Sequence, residues 1–251
     1  MQGLDGKVAV VTGGSRGIGF SIARGLIDRG VLVVITGTNE ATVSRAARDL
    51  GPSAAALRAD VRRYPEVEQV MTTAVGRFGG LDIVVNNAGI GAFMPVADMS
   101  LEVWQQVIDT NLTGVFHCCK AALPHLRARG GGWIINISSL SGTNPFAEGA
   151  AYCASKAALN AFSESLMHEV RHDGIRVSTV LPGSVRTGFM SRSKDAAHTS
   201  SPTEASGVGS KDAWKLAPED VAGVVLDLLS HPSRCLPSRV EIRPAQPPRK
   251  G

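Results

Sequence analysis

The sequence predicts an α/β fold: a doubly wound, mainly seven-stranded parallel sheet with helices on both faces. Seven short runs rich in Val and Ile alternate with segments of helix length along the 251 residues. This alternation is typical of a parallel sheet whose strands are buried on both faces. Hydrophobic residues make up 43% of the chain and charged residues 19%, as in globular proteins with a substantial core.

The predicted strands are apolar runs of strand length. In chain order they read KVAVVTG, VLVVITG, AALRADV, LDIVVNNAG, GWIINISS, RVSTVLPG and RVEIRP. Six helices are predicted between them, namely Ile18 to Arg29, Ala41 to Leu50, Glu66 to Phe78, Leu101 to Arg129, Tyr152 to His172 and Glu219 to Ser230. In the first, Ile18, Ile22 and Leu26 recur every four residues, and Gly30 provides a stop before the next strand.

The chain shows no fixed-period repeat and no linker that divides the alternation, so we expect one domain over residues 1–251. Residues 188–214 are mostly polar, and we expect either an inert surface insertion or a flexible lid over a ligand. The tail, residues 244–251, contains three prolines and is expected to be extended or disordered.

Cysteine usage and charge exclude several classes of protein. The four cysteines form no CxxC pair and no metal-like spacing with histidine, so we expect no disulfides, no metal site and a cytoplasmic location. We find no export signal and no apolar run of membrane-spanning length. The net charge of +4 is dispersed rather than gathered into a stripe, so nucleic acid is not expected as a partner.

A glycine-rich loop, VTGGSRGIG, follows the first predicted strand and begins the first helix. Gly13 permits a tight turn, and Gly17 and Gly19 permit close approach of the backbone to a ligand. The helix N-terminus then presents free N–H groups to a pyrophosphate. A Walker loop would require Gly-Lys followed by Ser or Thr, which is absent from this run, so ATP hydrolysis is disfavoured.

The loop TGGSRGIG resembles the TGxxxGxG loop of short-chain dehydrogenases/reductases, which have a single Rossmann-type domain. Further matching motifs follow in order across nearly the whole chain: ADV, NNAG, DTNLTG, NISS, YCASK and PGSVRT. The resemblance implies a nicotinamide cofactor bound by Gly13, Ser15, Arg16, Gly17, Ile18, Gly19, Thr38, Asp60, Val61, Asn87, Ala88, Gly89, Tyr152, Lys156, Pro182, Gly183, Val185 and Thr187. Within this set, Asp60 and Val61 are expected to border the adenine, and residues 182–187 the nicotinamide carboxamide.

The end of the second strand, ITGTNE, bears on the choice between NADP(H) and NAD(H). An acidic residue there would bind the ribose hydroxyls of NAD and repel a phosphate, but this position is Gly37. Arg16 is placed to pair with a 2′-phosphate, with Thr38 and Asn39 nearby. We therefore expect NADP(H) to be preferred. NAD(H) remains possible, because a local turn would bring Glu40 toward the ribose.

Tyr152 and Lys156 are four residues apart, on one face of a predicted helix. A buried cation that favours phenolate would make the tyrosine a better proton exchanger, although such pairs are also frequent on ordinary helices. Ser139 ends a strand, where a hydroxyl meets a ligand or simply caps a turn. By resemblance, Asn111, Ser139, Tyr152 and Lys156 form a complete catalytic tetrad.

The implied reaction is reduction of a carbonyl group by hydride transfer, with Tyr152 as proton donor, or the reverse oxidation. The substrate is either a small ketone, aldehyde or sugar, or a 3-oxoacyl thioester on an acyl carrier. The final segment CLPSRVEIRPAQPPRKG departs from the family's glycine-rich ending and argues mildly against the thioester. Apolar pocket surface is expected from Phe93, Met94, Phe146, Phe189, Met190 and Trp214, each of which also fits ordinary packing.

By resemblance we expect a homodimer or homotetramer. A different class of function fits the same fold: a nucleotide-binding regulatory or scaffold protein without catalysis. Cofactor binding without carbonyl reduction would distinguish that class from an enzyme.

Overall fold

The computed structural model describes residues 3–189 and 212–247. Seven parallel strands form one sheet in the order β3-β2-β1-β4-β5-β6-β7. The strands are β1 (Val8–Val11), β2 (Leu32–Gly37), β3 (Ala54–Arg58), β4 (Ile83–Asn86), β5 (Gly132–Ile137), β6 (Ile175–Pro182) and β7 (Arg239–Ile242). This architecture confirms the predicted doubly wound α/β fold.

Helices cover both faces of the sheet. They are α1 (Gly17–Ile27), α2 (Glu40–Leu50), α3 (Tyr64–Phe78), α4 (Leu101–Ile108), α5 (Gly114–Ala128), α6 (Ala150–Val170) and α7 (Pro218–Ser230). The predicted helical segment Leu101 to Arg129 is helical but divided, because a π-helical turn at Asp109–Thr113 separates α4 from α5. Such turns occur frequently at functional sites, and this one contains Asn111.

Side chains of each strand alternate between two hydrophobic layers. In β1, Ala9 and Val11 face one layer, while Val8 and Val10 face the other. The first layer includes Ile22 of α1, Val43 of α2 and Val225 of α7, and the second includes Val70 of α3, Val115 of α5 and Leu159 of α6. Burial on both faces explains why the strands are continuously apolar.

The strand order reverses at β1, which lies between β2 and β4. In open α/β sheets, ligands bind at such a point, outside the carboxyl ends of the strands. Here the carboxyl ends of β1 and β4 are joined directly. Thr12 Oγ1, just after β1, accepts hydrogen bonds from the N–H groups of Asn87 and Ala88, just after β4, both at 3.1 Å. The fold therefore brings the glycine-rich loop and the NNAG segment together.

Helix α6 is anchored by an apolar stripe that continues from its functional residues along the same face. Leu159, Leu166 and Val170 are buried, and Phe162 is partly buried against the same layer. This packing fixes the first turns of α6, which carry Tyr152 and Lys156, relative to the sheet.

Most of the predicted lid and half of the predicted tail, residues 190–211 and 248–251, lie outside the described residues. In the ranges that the structure describes, no helix is long and apolar enough to cross a membrane.

Candidate active site

The glycine-rich loop is shaped by close contact with the segment after β4. Gly13 has a φ of +64°, and a side chain there would approach Ala88 Cα to 3.0 Å. At Gly19, a side chain would collide with the Asn87 amide, which donates hydrogen bonds to the carbonyls of Thr12 and Gly13 at 3.0 and 3.1 Å. Only glycine therefore fits at these two positions, and the loop backbone stays accessible to a ligand.

The far end of β2 leaves no room for an acidic side chain. A Cβ at Gly37 would lie 2.8 Å from Val43 Cγ2 and 3.6 Å from Ser15 Oγ. Thr38 and Glu40 follow on the exposed surface, and the Glu40 carboxylate accepts a hydrogen bond from Ser44 Oγ at 3.1 Å. The structure thus turns Glu40 along its own helix.

Arg16 lies in the same region as an exposed, extended residue immediately before α1. It forms no salt bridge with any residue in the described part of the chain. Asn39 caps α2 by accepting a hydrogen bond from the Thr42 N–H at 3.0 Å. The Arg16 guanidinium is therefore available to an anionic ligand at this end of the loop.

Asp60 and Val61 follow β3. The Asp60 carboxylate is paired with Arg62, with a closest distance of 2.6 Å, and this interaction holds the pKa of Asp60 below its ordinary value. Val61 is buried against Gly114, and its carbonyl lies 3.0 Å from His117 Nδ1. The Asp60 carboxylate is therefore ionised at neutral pH, and Val61 is an apolar neighbour of it at the end of β3.

Asn111 is fully buried in the π-helical turn. Its Oδ1 accepts from the Ile90 N–H at 2.9 Å, and its Nδ2 donates to the Ile90 carbonyl at 2.9 Å and to Ser155 Oγ at 3.0 Å. Both amide hydrogens are therefore engaged, and any water bound to this side chain must donate to its oxygen. Ser155 in turn donates to the Tyr152 carbonyl at 2.7 Å.

Ser139 lies at the end of β5 and caps the short 3₁₀ turn Leu140–Gly142. Its Oγ accepts from the Ser141 N–H at 3.1 Å, as the capping interpretation predicts, and donates to Ser141 Oγ at 3.1 Å. Ser139 also lies close enough to Tyr152 to affect the pKa of the phenol. Burial raises the pKa of Tyr152, and the interaction with Ser139 opposes this rise. Burial is the largest influence on the pKa of this phenol.

Lys156 is 5% exposed, and its Nζ lies 5.8 Å from the centre of the Tyr152 ring. The ammonium donates to the Ile137 carbonyl at 2.9 Å. Burial lowers the pKa of Lys156 to about 8. A Cβ at Gly89 would lie 3.3 Å from Asn111 Oδ1 and 3.8 Å from this Nζ, so the NNAG segment passes directly beside the tetrad.

The PGSVRT segment lies across the glycine-rich loop. Gly183 donates from its N–H to the Ile242 carbonyl at 2.8 Å, which continues the pairing of Pro182 with Ile242. Val185 bridges to Leu216. A Cβ at Gly17 would approach Thr187 Cγ2 to 3.4 Å, so this segment closes the other side of the crevice from NNAG.

The structure thus brings Asn111, Ser139, Tyr152 and Lys156 together around one crevice, with Gly89 beside them. Ser155 was missed by the sequence analysis, although it lies inside YCASK between the two residues that drew attention. Two clefts, of about 440 Å³ between α3 and α5 and about 610 Å³ beside Arg62, are not lined by the tetrad.

Comparison with known proteins bears on the origin of this arrangement. The model of the short chain dehydrogenase family matches residues 7–198. The chain is a short-chain dehydrogenase/reductase. It is 35% identical over 238 residues to an uncharacterized oxidoreductase of Staphylococcus epidermidis, covering 95% of this chain and 97% of that protein. An uncharacterized oxidoreductase of Staphylococcus aureus is 34% identical over 245 residues, covering 97% of this chain and all of its own.

Two solved structures share the fold of this short-chain dehydrogenase/reductase. A metagenomic short-chain oxidoreductase in complex with NADP is 34% identical, with a TM-score of 0.80 over 98% of this chain and 100% of that one. An alcohol dehydrogenase from the archaeon Thermococcus sibiricus, complexed with 5-hydroxy-NADP, is 29% identical, with a TM-score of 0.82 over 97% of this chain and 99% of that one. The chain is therefore an oxidoreductase of this family.

The residues present fit the nicotinamide dinucleotide that this family implies. Gly13 and Gly19 keep the loop backbone bare where a pyrophosphate approaches, and the N-terminus of α1 follows at once. Within the tetrad, Lys156 provides a buried cation close to Tyr152.

Proposed function

We propose that this short-chain dehydrogenase/reductase catalyses the NADPH-dependent reduction of a ketone, an aldehyde or a 3-oxoacyl group to an alcohol. The observation that carries the proposal is the buried Lys156 ammonium, 5.8 Å from the centre of the Tyr152 ring, with Ser139 close enough to this phenol to affect its pKa. Two neighbouring hydroxyl groups are suited to polarise a carbonyl oxygen once Ser139 turns its hydroxyl from Ser141 to the substrate.

In this mechanism, Ser139 and Tyr152 hydrogen-bond the carbonyl oxygen and hold the substrate in place. The nicotinamide supplies a hydride to the carbonyl carbon when it is bound. Tyr152 donates its proton to the oxygen, and the Lys156 ammonium stabilises the phenolate left behind. Burial raises the pKa of Tyr152, so the phenol is fully protonated at neutral pH and ready to act as an acid.

The two remaining roles concern positioning and proton return. Lys156 is proposed to bond the nicotinamide ribose hydroxyls, and its pKa of about 8 allows it to exchange a proton near neutral pH. Asn111 is proposed to hold the water that returns a proton to Tyr152 and Lys156. The water donates a hydrogen bond to the amide oxygen of Asn111, because both amide hydrogens are already engaged. The oxidation of an alcohol follows the reverse path, with Tyr152 as the base.

The preference for NADP(H) over NAD(H) is supported by the end of β2. Gly37 cannot carry an acidic side chain without displacing Val43, and Glu40 is bonded to Ser44. The exposed Arg16 is proposed to pair with the 2′-phosphate, next to Ser15 and Thr38. Comparison of kcat/KM for NADPH and NADH tests this part, and a clear preference for NADH would contradict it.

Asp60 and Val61 are proposed to border the adenine, and Pro182, Gly183, Val185 and Thr187 to hold the nicotinamide carboxamide.

A cytoplasmic location is supported by the four free cysteines. Assembly as a homodimer or homotetramer completes the proposal, and sedimentation of the purified protein measures it.

The chain contains two tyrosines, which allows a matched test of the catalytic role. We expect Tyr152→Phe to retain NADPH binding and to lose at least about 10²-fold in kcat, the range for a general acid. Tyr64→Phe is the control, because Tyr64 lies at the start of α3, where its ring contacts His117 and Lys120 rather than the tetrad. Undiminished turnover in Tyr152→Phe would refute the assignment.

A further inference from the structure

A row of aromatic rings extends from the proposed proton donor. Phe93 meets Tyr152 edge-on, with ring centres 5.6 Å apart and planes at 69°. Phe189 lies against Tyr152 with centres 5.7 Å apart and planes at 53°. Phe146 continues the row behind Phe93 at 5.8 Å. We call Phe93, Phe146 and Phe189 the aromatic row.

The backbone holds two members of the aromatic row in register. The Met94 N–H donates to the Glu148 carbonyl at 2.9 Å and so joins the segment after β4 to the segment before α6. Ala92, the residue before Phe93, is buried in a small cluster with Val107 and Ala151, and Met94, the residue after it, packs against the same cluster. Phe93 and Phe146 are therefore placed by the fold as well as by their contact with each other.

The third member, Phe189, reaches the row because Gly91 has no side chain. A Cβ at Gly91 would lie 2.8 Å from Phe93 Cζ and 3.0 Å from Phe189 Cε1. The Phe189 N–H donates to Thr187 Oγ1 at 3.4 Å, so this ring is attached to the segment proposed for the nicotinamide. Two aromatic rings thus converge between that segment and Tyr152.

The aromatic row is open to solvent rather than enclosed in a core. Phe146 is 46% exposed, and Phe93 and Phe189 are each only partly buried. Aromatic surface left exposed beside a convergent set of polar groups is typical of a ligand site. Edge-to-face geometry favours another flat ring as the next neighbour, since the positive edge of one ring meets the negative face of the next.

We propose that the substrate is a carbonyl compound whose carbonyl carbon carries an aryl group, which packs against Phe93 and Phe189. This inference rests on the proposed function of Tyr152. The carbonyl oxygen then points to the Tyr152 hydroxyl while the aryl group extends the aromatic row. Hydride from NADPH forms the new C–H bond, the Tyr152 proton forms the O–H bond, and the products are an aryl carbinol and NADP⁺.

The test compares acetophenone, acetone, acetoacetate and an acetoacetyl thioester as substrates with NADPH. We expect kcat/KM for acetophenone to exceed that for each of the others by at least about 10-fold, the equivalent of one or two favourable ring contacts. Phe93→Ala and Phe189→Ala should each reduce this preference by about 3- to 10-fold. Phe116→Ala, which removes an exposed ring on α5, should leave it unchanged.

Two results would overturn the proposal: reduction of acetone, acetoacetate or the thioester at least as efficiently as acetophenone, or an aryl preference that survives both alanine variants. Phe93→Leu and Phe189→Leu keep apolar volume without a ring, and loss of preference in these variants supports the proposal even where the alanine variants fold poorly.

A binding measurement separates this inference from the proposed function. Benzamide and acetamide are carbonyl compounds that the enzyme cannot reduce by the same route, and their affinity for the enzyme–NADP⁺ complex is measured by calorimetry. Tighter binding of benzamide that depends on Phe93 supports the aromatic row even if no ketone is turned over. Equal binding of the two amides contradicts it even if ketones are reduced.

Discussion

The burial of Lys156 has a measurable effect on folding stability. Burial lowers the pKa of this lysine from 10.5 to about 8. The unfolded chain therefore holds the lysine proton more tightly than the folded protein does between these two values. Because the unfolded state binds more protons there, the lysine's contribution to stability becomes more favourable as pH rises through this range.

The magnitude follows from the size of the shift. About 2.5 pK units correspond to about 3 kcal/mol, which is the destabilisation that charged Lys156 imposes on the apoprotein at pH 7. Between pH 7 and pH 9.5, about 2 kcal/mol of this destabilisation disappears. Lys156 is 5% exposed, so solvent screens little of the effect.

The assay is urea unfolding of the cofactor-free protein and of Lys156→Met, followed by tryptophan fluorescence at both pH values and at one protein concentration. Between pH 7 and pH 9.5, the free energy of unfolding of the wild type should increase by about 2 kcal/mol relative to that of the variant. Burial raises the pKa of the Cys118 and Cys119 thiols, which act in the opposite direction, but equally in both proteins. The same comparison with Lys120→Met, an exposed lysine, should show no such change. A stability difference for Lys156→Met that is independent of pH would refute the reasoning.

Three further perturbations test other parts of the site. Arg16→Ala should lower kcat/KM for NADPH by about 10-fold or more, which is the range of a charge-assisted contact, and leave kcat/KM for NADH nearly unchanged. Equal losses with the two cofactors would contradict a role of Arg16 at the 2′-phosphate. Gly19→Ala should abolish NADPH binding in a fluorescence titration, since the new methyl group collides with the Asn87 amide, and unchanged affinity would contradict this account. Ser155→Ala leaves one buried amide hydrogen of Asn111 without its partner and should lower the free energy of unfolding by about 1–3 kcal/mol in urea denaturation, whereas no loss would show that this bond adds nothing.

Much of the fold follows from the sequence because buried parallel strands and amphipathic helices have distinct periods. Alternating Val and Ile runs are required when both faces of a strand are covered, and the stripe through Leu159, Leu166 and Val170 is required when one face of a helix is covered. The glycines at 13 and 19 likewise follow from a loop that must approach both a ligand and the NNAG segment.

The features of the site that the sequence does not predict depend on backbone hydrogen bonding and on contacts between residues far apart in sequence. The π-helical turn around Asn111 differs from a regular helix only in its backbone hydrogen bonds, which side-chain periodicity does not report. The pKa of Tyr152 is raised by burial, and the rings that contact Tyr152, Phe93 and Phe189, come from separate segments that the spacing to Lys156 does not reveal. No sequence motif points to Gly91, because its role is to leave room for the rings of Phe93 and Phe189, which only the fold brings together.

The most direct test of the central claim is a single turnover with NADPH deuterated at the transferred position and acetophenone as substrate. The account predicts that the alcohol formed by the wild type and by Tyr64→Phe carries the deuterium at the carbinol carbon, and that Tyr152→Phe forms little or no alcohol. Alcohol without deuterium, or equal yields from Tyr152→Phe and the wild type, would contradict hydride transfer assisted by Tyr152.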